Sequence, residues 1–173
     1  LTLVVLVCAG APAPAQGRSD VLNEQEADLV RLAQEIDERT ALFLKIAERR
    51  LVALEGGEPP APAPAKAKKG EDAPAGEKFG PPPGGPRDAL LRNYVAVIEE
   101  MQDKIDDAYE RNVNNPKIKK SLENVRKTLE GYLPRLKRLS DKVAAPAESR
   151  ALEAAALVTE KTLADAKAFL NEK

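Results

Sequence analysis

The sequence predicts an all-α protein that closes into a four-helix bundle, and three observations carry that expectation. From Asp88 to Val143 apolar residues recur at the spacing of one helical face: Leu91, Tyr94, Ile98, Met101, Ile105 and Ala108, then Ile118, Leu122, Val125, Leu129, Tyr132, Leu136, Leu139 and Val143. An Asn-Asn-Pro turn at Asn114, Asn115 and Pro116 separates the two stripes, short enough to fold them into an antiparallel hairpin. Among 173 residues there are three Phe, three Tyr and no Trp, so a core must be built from Leu, Val, Ile and Ala, which suits helix packed on helix.

Taken in order, the chain opens with an apolar run from Leu1 to Gly10 followed by alternating Ala and Pro. Residues 1–15 resemble the tail of a truncated secretory signal peptide, with small residues at Ala13 and Ala15 placing the cut before Gln16. A transmembrane anchor needs about 20 apolar residues, and the run is about half that length. Cys8 offers a lipoprotein alternative, which the bulky Val7 immediately before it disfavours. It is the only cysteine, so a mature chain has no disulfide, thiol nucleophile or thiolate metal site.

Residues 16–55 are expected to hold one long, nearly straight helix from Asn23 to Glu55. Asn23 with Glu26 forms a capping-box pattern, Lys45, Arg49 and Arg50 lie where they complement the helix dipole, and Gly56 stops the helix. Its stripe is Leu29, Ala33, Ile36, Thr40, Phe43, Ala47, Leu51 and Leu54, and the Ala41–Leu54 half is apolar around enough of its circumference to meet more than one neighbour. Residues 56–87, with Ala-Pro repeats, the Lys66, Lys68 and Lys69 cluster and a Gly-Pro run, are expected to be a disordered linker with too little apolar surface to fold. As a Pro-rich ligand for an SH3-like domain, the stretch would meet its readers inside cells, which export argues against.

Residues 88–173 supply the hairpin and a last helix. The first hairpin helix has apolar residues beyond its seam, at Leu90, Val95, Val97 and Tyr109, which implies a central position in the bundle. Asn115 and Pro116 are a cap and a first-turn residue for the second. Gly131 and Pro134 are expected to kink that helix, whereas the Ala144-Ala145-Pro146 break puts the next stripe out of phase and requires a reversal. The final helix follows Leu152, Ala155, Thr159, Leu163, Ala166 and Phe169 or Leu170, a seam rich in Ala that lets a neighbour approach closely.

The chemistry that composition excludes is broad. With no histidine, the commonest general base, the usual haem ligand and the Glu-x-x-His pairs of di-iron bundles are missing. Neither a Ser-x-x-Lys motif nor a phosphate-cradling glycine loop occurs. The sequence therefore offers no catalytic, cofactor-binding or metal-binding residue. The acids Glu99, Glu100, Asp103, Asp106, Asp107 and Glu110 lie opposite the seam and read as a solvated face rather than a divalent-cation site.

Formal net charge is −1, from 27 basic and 28 acidic residues, so no global field draws the chain to nucleic acid. Locally, Lys117, Lys119, Lys120, Arg126, Lys127, Arg135, Lys137, Arg138 and Lys142 make the helix over 117–142 basic, which suits an anionic envelope surface better than nucleic acid, because stacking aromatics are lacking. The expected function is that of an exported, non-catalytic protein of the periplasm or extracellular space. It would act on a protein partner, or on itself, through helix faces. The alternatives are a periplasmic chaperone or peptide binder, and a carboxylate- or Lys-dependent enzyme. Intact-mass measurement of the native protein should find a chain beginning near Gln16; retention of Leu1 to Ala15, or lipid on Cys8, would refute export by this route.

Overall fold

The computed structural model describes residues 21–57, 79–141, 143 and 145–171. The leader expected at 1–15 and the Ala-Pro part of the expected linker lie outside these residues. Among them all regular structure is helical: α1 (Glu24–Leu32), α2 (Ile36–Glu55), α3 (Arg87–Arg111), α4 (Pro116–Ser140) and α5 (Pro146–Asn171).

The N-terminal segment departs from the single long helix that its stripe predicts. Asn23 caps α1 as a full capping box, its Oδ1 accepting the Glu26 amide at 2.8 Å while Glu26 Oε2 accepts the Asn23 amide at 3.2 Å. After Leu32 the backbone turns extended at Ala33, whose carbonyl accepts both Nε and a terminal nitrogen of Arg39. The reason for the break lies in α2. In a straight helix Glu26 and Arg49 would stand about 35 Å apart; here the side chains meet at 2.6 Å, so α1 folds back along α2. Gly56 ends α2 in the left-handed conformation that the sequence predicts there, with φ 76°.

Glu26 is fully buried and takes Arg49 on one oxygen and Arg50 on both, each at 2.6 Å. Arg50 also donates to the carbonyls of Ile46 and Val21. Arg49 reaches the carbonyls of Phe79, Gly80 and Pro81 at 2.7–2.8 Å, and its guanidinium lies 5.5 Å from the Phe79 ring centre. Burial depresses the Arg49 pKa, and the Glu26 charge opposes that shift. The last residues of the expected linker are therefore a strap: Phe79 is buried in the core, and Asn23 Nδ2 donates to its carbonyl at 3.0 Å.

The four long helices are arranged in a ring. Helix α2 packs against α3 and α4, and α5 packs against the same two from the other side, while α2 and α5 do not meet. Helices α3 and α4 touch little. The expected hairpin is thus antiparallel but spread across a diagonal, because the broad apolar faces of α2 and α5 insert on either side. Tyr94 and Tyr132 span the centre edge to face, with centroids 6.4 Å apart. Thr159 gives its hydroxyl proton to the Ala155 carbonyl, so Tyr94 donates to Thr159 at 2.8 Å; Tyr132 donates to the Leu44 carbonyl at 2.8 Å. Burial raises both phenol pKa values above the ordinary range.

Asn115 caps α4 by accepting the Lys117 amide, and Pro116 occupies the first turn. The helix runs unbroken through Gly131 and Pro134, and the chain reverses before Pro146. Replacing Glu26 with Ala should cost about 3–5 kcal/mol of unfolding free energy, since it strands two buried guanidinium groups. Chemical denaturation checks this; a loss under about 1 kcal/mol, the value typical of an exposed pair, would show that the Glu26 cluster does not hold α1 and the strap.

Candidate functional site

The basic helix predicted as an outward face is partly occupied within the chain. Arg135 lies between Glu48 and Glu55 of α2 at 2.5 and 2.7 Å, and its guanidinium stands over the Tyr132 ring. These two carboxylates push the Arg135 pKa upward. Lys117 reaches Glu35, and Lys120 reaches Asp37 at 2.7 Å and holds that carboxyl below its ordinary value. Lys119, Arg126, Lys127 and Arg138 remain on the exposed side. No helix of the described residues is long and apolar enough to cross a membrane, and none of these residues forms an acidic, His or Cys group that could hold a metal ion.

A cleft of about 320 Å³ lies where the C-terminal end of α3, the N-terminal end of α4 and the C-terminal end of α5 converge. It exists because short side chains meet long ones unevenly. Helix α5 brings Thr162 and Ala166 there, and Thr162 turns its hydroxyl back onto the Val158 carbonyl at 2.7 Å. Opposite them, Ile105 of α3 and Ile118, Leu122 and Val125 of α4 form an apolar wall. Tyr109 and Phe169 pair edge to face beside it, with centroids 5.6 Å apart, and Tyr109 is 37% exposed.

Two carboxylates, Asp106 and Asp165, complete the lining. Both are exposed, and among the described residues neither makes an ion pair. Partial desolvation raises the Asp106 pKa, and Asp103, Glu110, Asp165 and Asp107 raise it further. A more open groove of about 500 Å³ between α3 and α5 continues from the cleft through Gln102, Asp106 and Asp165 to Val95 and the exposed Leu157. Of the acids that read as a solvated face of α3, all but the half-buried Glu100 are exposed, and Asp106 borders an apolar cleft as well. Sequence reasoning missed the cleft because Asp165 comes from another helix, 59 positions farther along the chain.

Compared with known proteins, the chain matches no family model, no curated protein sequence and no solved structure.

An acid whose folded pKa is raised destabilises the fold once ionised. That penalty is absent below the ordinary value of 3.8 and complete above the raised one. Asp106→Asn should therefore raise the melting temperature at neutral pH and leave it unchanged well below pH 3.8. Thermal denaturation at both pH values decides; equal melting temperatures at neutral pH would show that the surrounding acids do not strain Asp106.

Proposed function

We propose that this protein is an exported, non-catalytic binding protein, framed as a four-helix bundle by α2 to α5 with α1 clasped on its side, and that its working surface is the cleft between α3, α4 and α5. The observation that carries this reading is the cleft itself: an open, mostly apolar hollow of about 320 Å³, within the size range of small-ligand pockets, with the half-buried Phe169 and the partly exposed Tyr109 in its lining. Support for a non-catalytic role comes from its chemistry. The two carboxylates lie at the rim, and the chain has no histidine to move a proton beside them.

A peptide binder that opens by releasing its first helix is less well supported. Phe43, Ile46 and Ala47 of α2 are fully buried, and the Glu26 cluster fastens α1 and the strap to the same helix. The binding surface is instead one that needs no unfolding to be reached.

A neutral environment-sensitive dye, Nile red, tests this. The folded protein should bind it saturably with a blue-shifted emission. Leu122→Trp, which fills the cleft from its half-buried α4 wall, should abolish most of that binding while leaving the far-ultraviolet circular dichroism unchanged. Undiminished dye binding by the folded variant would remove the cleft as the working surface.

A further inference from the structure

We infer that the cleft binds an organic cation: a primary or quaternary ammonium group carried on an apolar body. The inference rests on the cleft being a binding site and adds the chemical class of its ligand.

Three features converge on that class. The walls, Ile105, Ile118, Leu122, Val125 and Ala166, offer only apolar surface, so the body of the ligand must be apolar to gain from leaving water. Asp106 and Asp165 border the same space from two helices, and an ammonium group beside them would offset the partial desolvation and the surrounding negative charge that raise the Asp106 pKa. Tyr109 and Phe169 both line the cleft, and aromatic rings attract alkylammonium ions through their quadrupoles. Two of the six aromatic residues in the chain thus lie where a cation would be held.

Charge argues against the other occupants. An anion would face Asp106 and Asp165 with no cationic side chain among the described residues of the cleft lining, and along the adjoining groove Lys161 is the one base among them against Glu99, Asp103, Asp106 and Asp165. A bare divalent ion would gain nothing from the hydrocarbon walls, and no group of ligands for one is present among the described residues. A neutral apolar molecule would leave the two carboxylates uncompensated.

Three probes with one body separate these possibilities: 4-phenylbutylammonium, 4-phenyl-1-butanol and 4-phenylbutyrate, each titrated into the full chain and followed by amide chemical shifts. The ammonium should perturb residues around Ile105, Leu122 and Ala166 and bind about tenfold tighter than the alcohol, with the butyrate weakest. In Asp106→Asn/Asp165→Asn the preference should shrink to about twofold or less, and in the native chain it should fall as salt is raised. If ammonium and alcohol bind the same residues with equal affinity, the cleft stands as a site and the cation inference is overturned. A preference that survives the double substitution also overturns it. If none of the three shifts the cleft residues, the cleft reading itself fails.

Discussion

The buried Glu26 carboxylate is the constraint on which the N-terminal third of the structure depends. A carboxylate removed from water is costly unless nearly every lone pair is met. Glu26 meets this requirement with two guanidinium groups and the Asn23 amide, and each guanidinium has a second duty. Arg50 holds the chain entering α1 through Val21, while Arg49 holds the chain approaching α3 through three successive carbonyls. Segments from either side of α2 are therefore registered on the same two residues of it. Arginine suits this position because its planar fork stays charged even when burial opposes the charge, and it presents several donors at fixed angles.

A second set of polar contacts registers the long helices. Arg87 donates to the Leu54 carbonyl at the end of α2 and to Glu148 in the first turn of α5, so one side chain links opposite corners of the ring. Across the middle, each tyrosine fixes a different neighbour: Tyr94 ties α3 to α5, and Tyr132 ties α4 to α2. Apolar stripes alone tolerate sliding by a turn. A buried hydroxyl that loses its partner costs about 1–3 kcal/mol, which penalises such slippage.

How much of this was legible follows from the range of each signal. Local signals read correctly: the Asn23 capping box, the Gly56 stop, the Asn115-Pro116 start and the seam residues Ile98, Met101, Val125, Leu129 and Leu136. The break at Ala33 was not legible, because Ala33-Gln34-Glu35 contains neither Gly nor Pro and the apolar stripe runs on through it. What interrupts the helix is a tertiary contact between Glu26 and the paired arginines. By helix position alone, Arg49 and Arg50 looked like surface charges complementing a dipole. Phe79 did leave a trace, as a lone aromatic among glycines and prolines, although composition over the whole stretch outweighed it. The stripe assignments also identified the faces of α3 and α4 without saying whether those faces meet directly, and here the faces of α2 and α5 separate them.

The same limit explains both why the cleft was missed and why it stays open. The seam of α5 is short at Ala155, Thr159, Thr162 and Ala166, and near the middle of the ring the large Tyr94 reaches across to compensate. Toward the C-terminal end of α5 no equally large inward side chain does so: Tyr109 stays half out and leans on Phe169, while Ala166 leaves the walls of α3 and α4 apart. Helix α2 cannot close the gap, since it lies at the corner opposite α5. A larger residue at Ala166 would gain burial at roughly 25 cal/mol per Å² of apolar surface covered. The open hollow thus forgoes packing at the place where two carboxylates from different helices find no ion pair among the described residues, and a ligand with an apolar body and a positive charge would satisfy both at once.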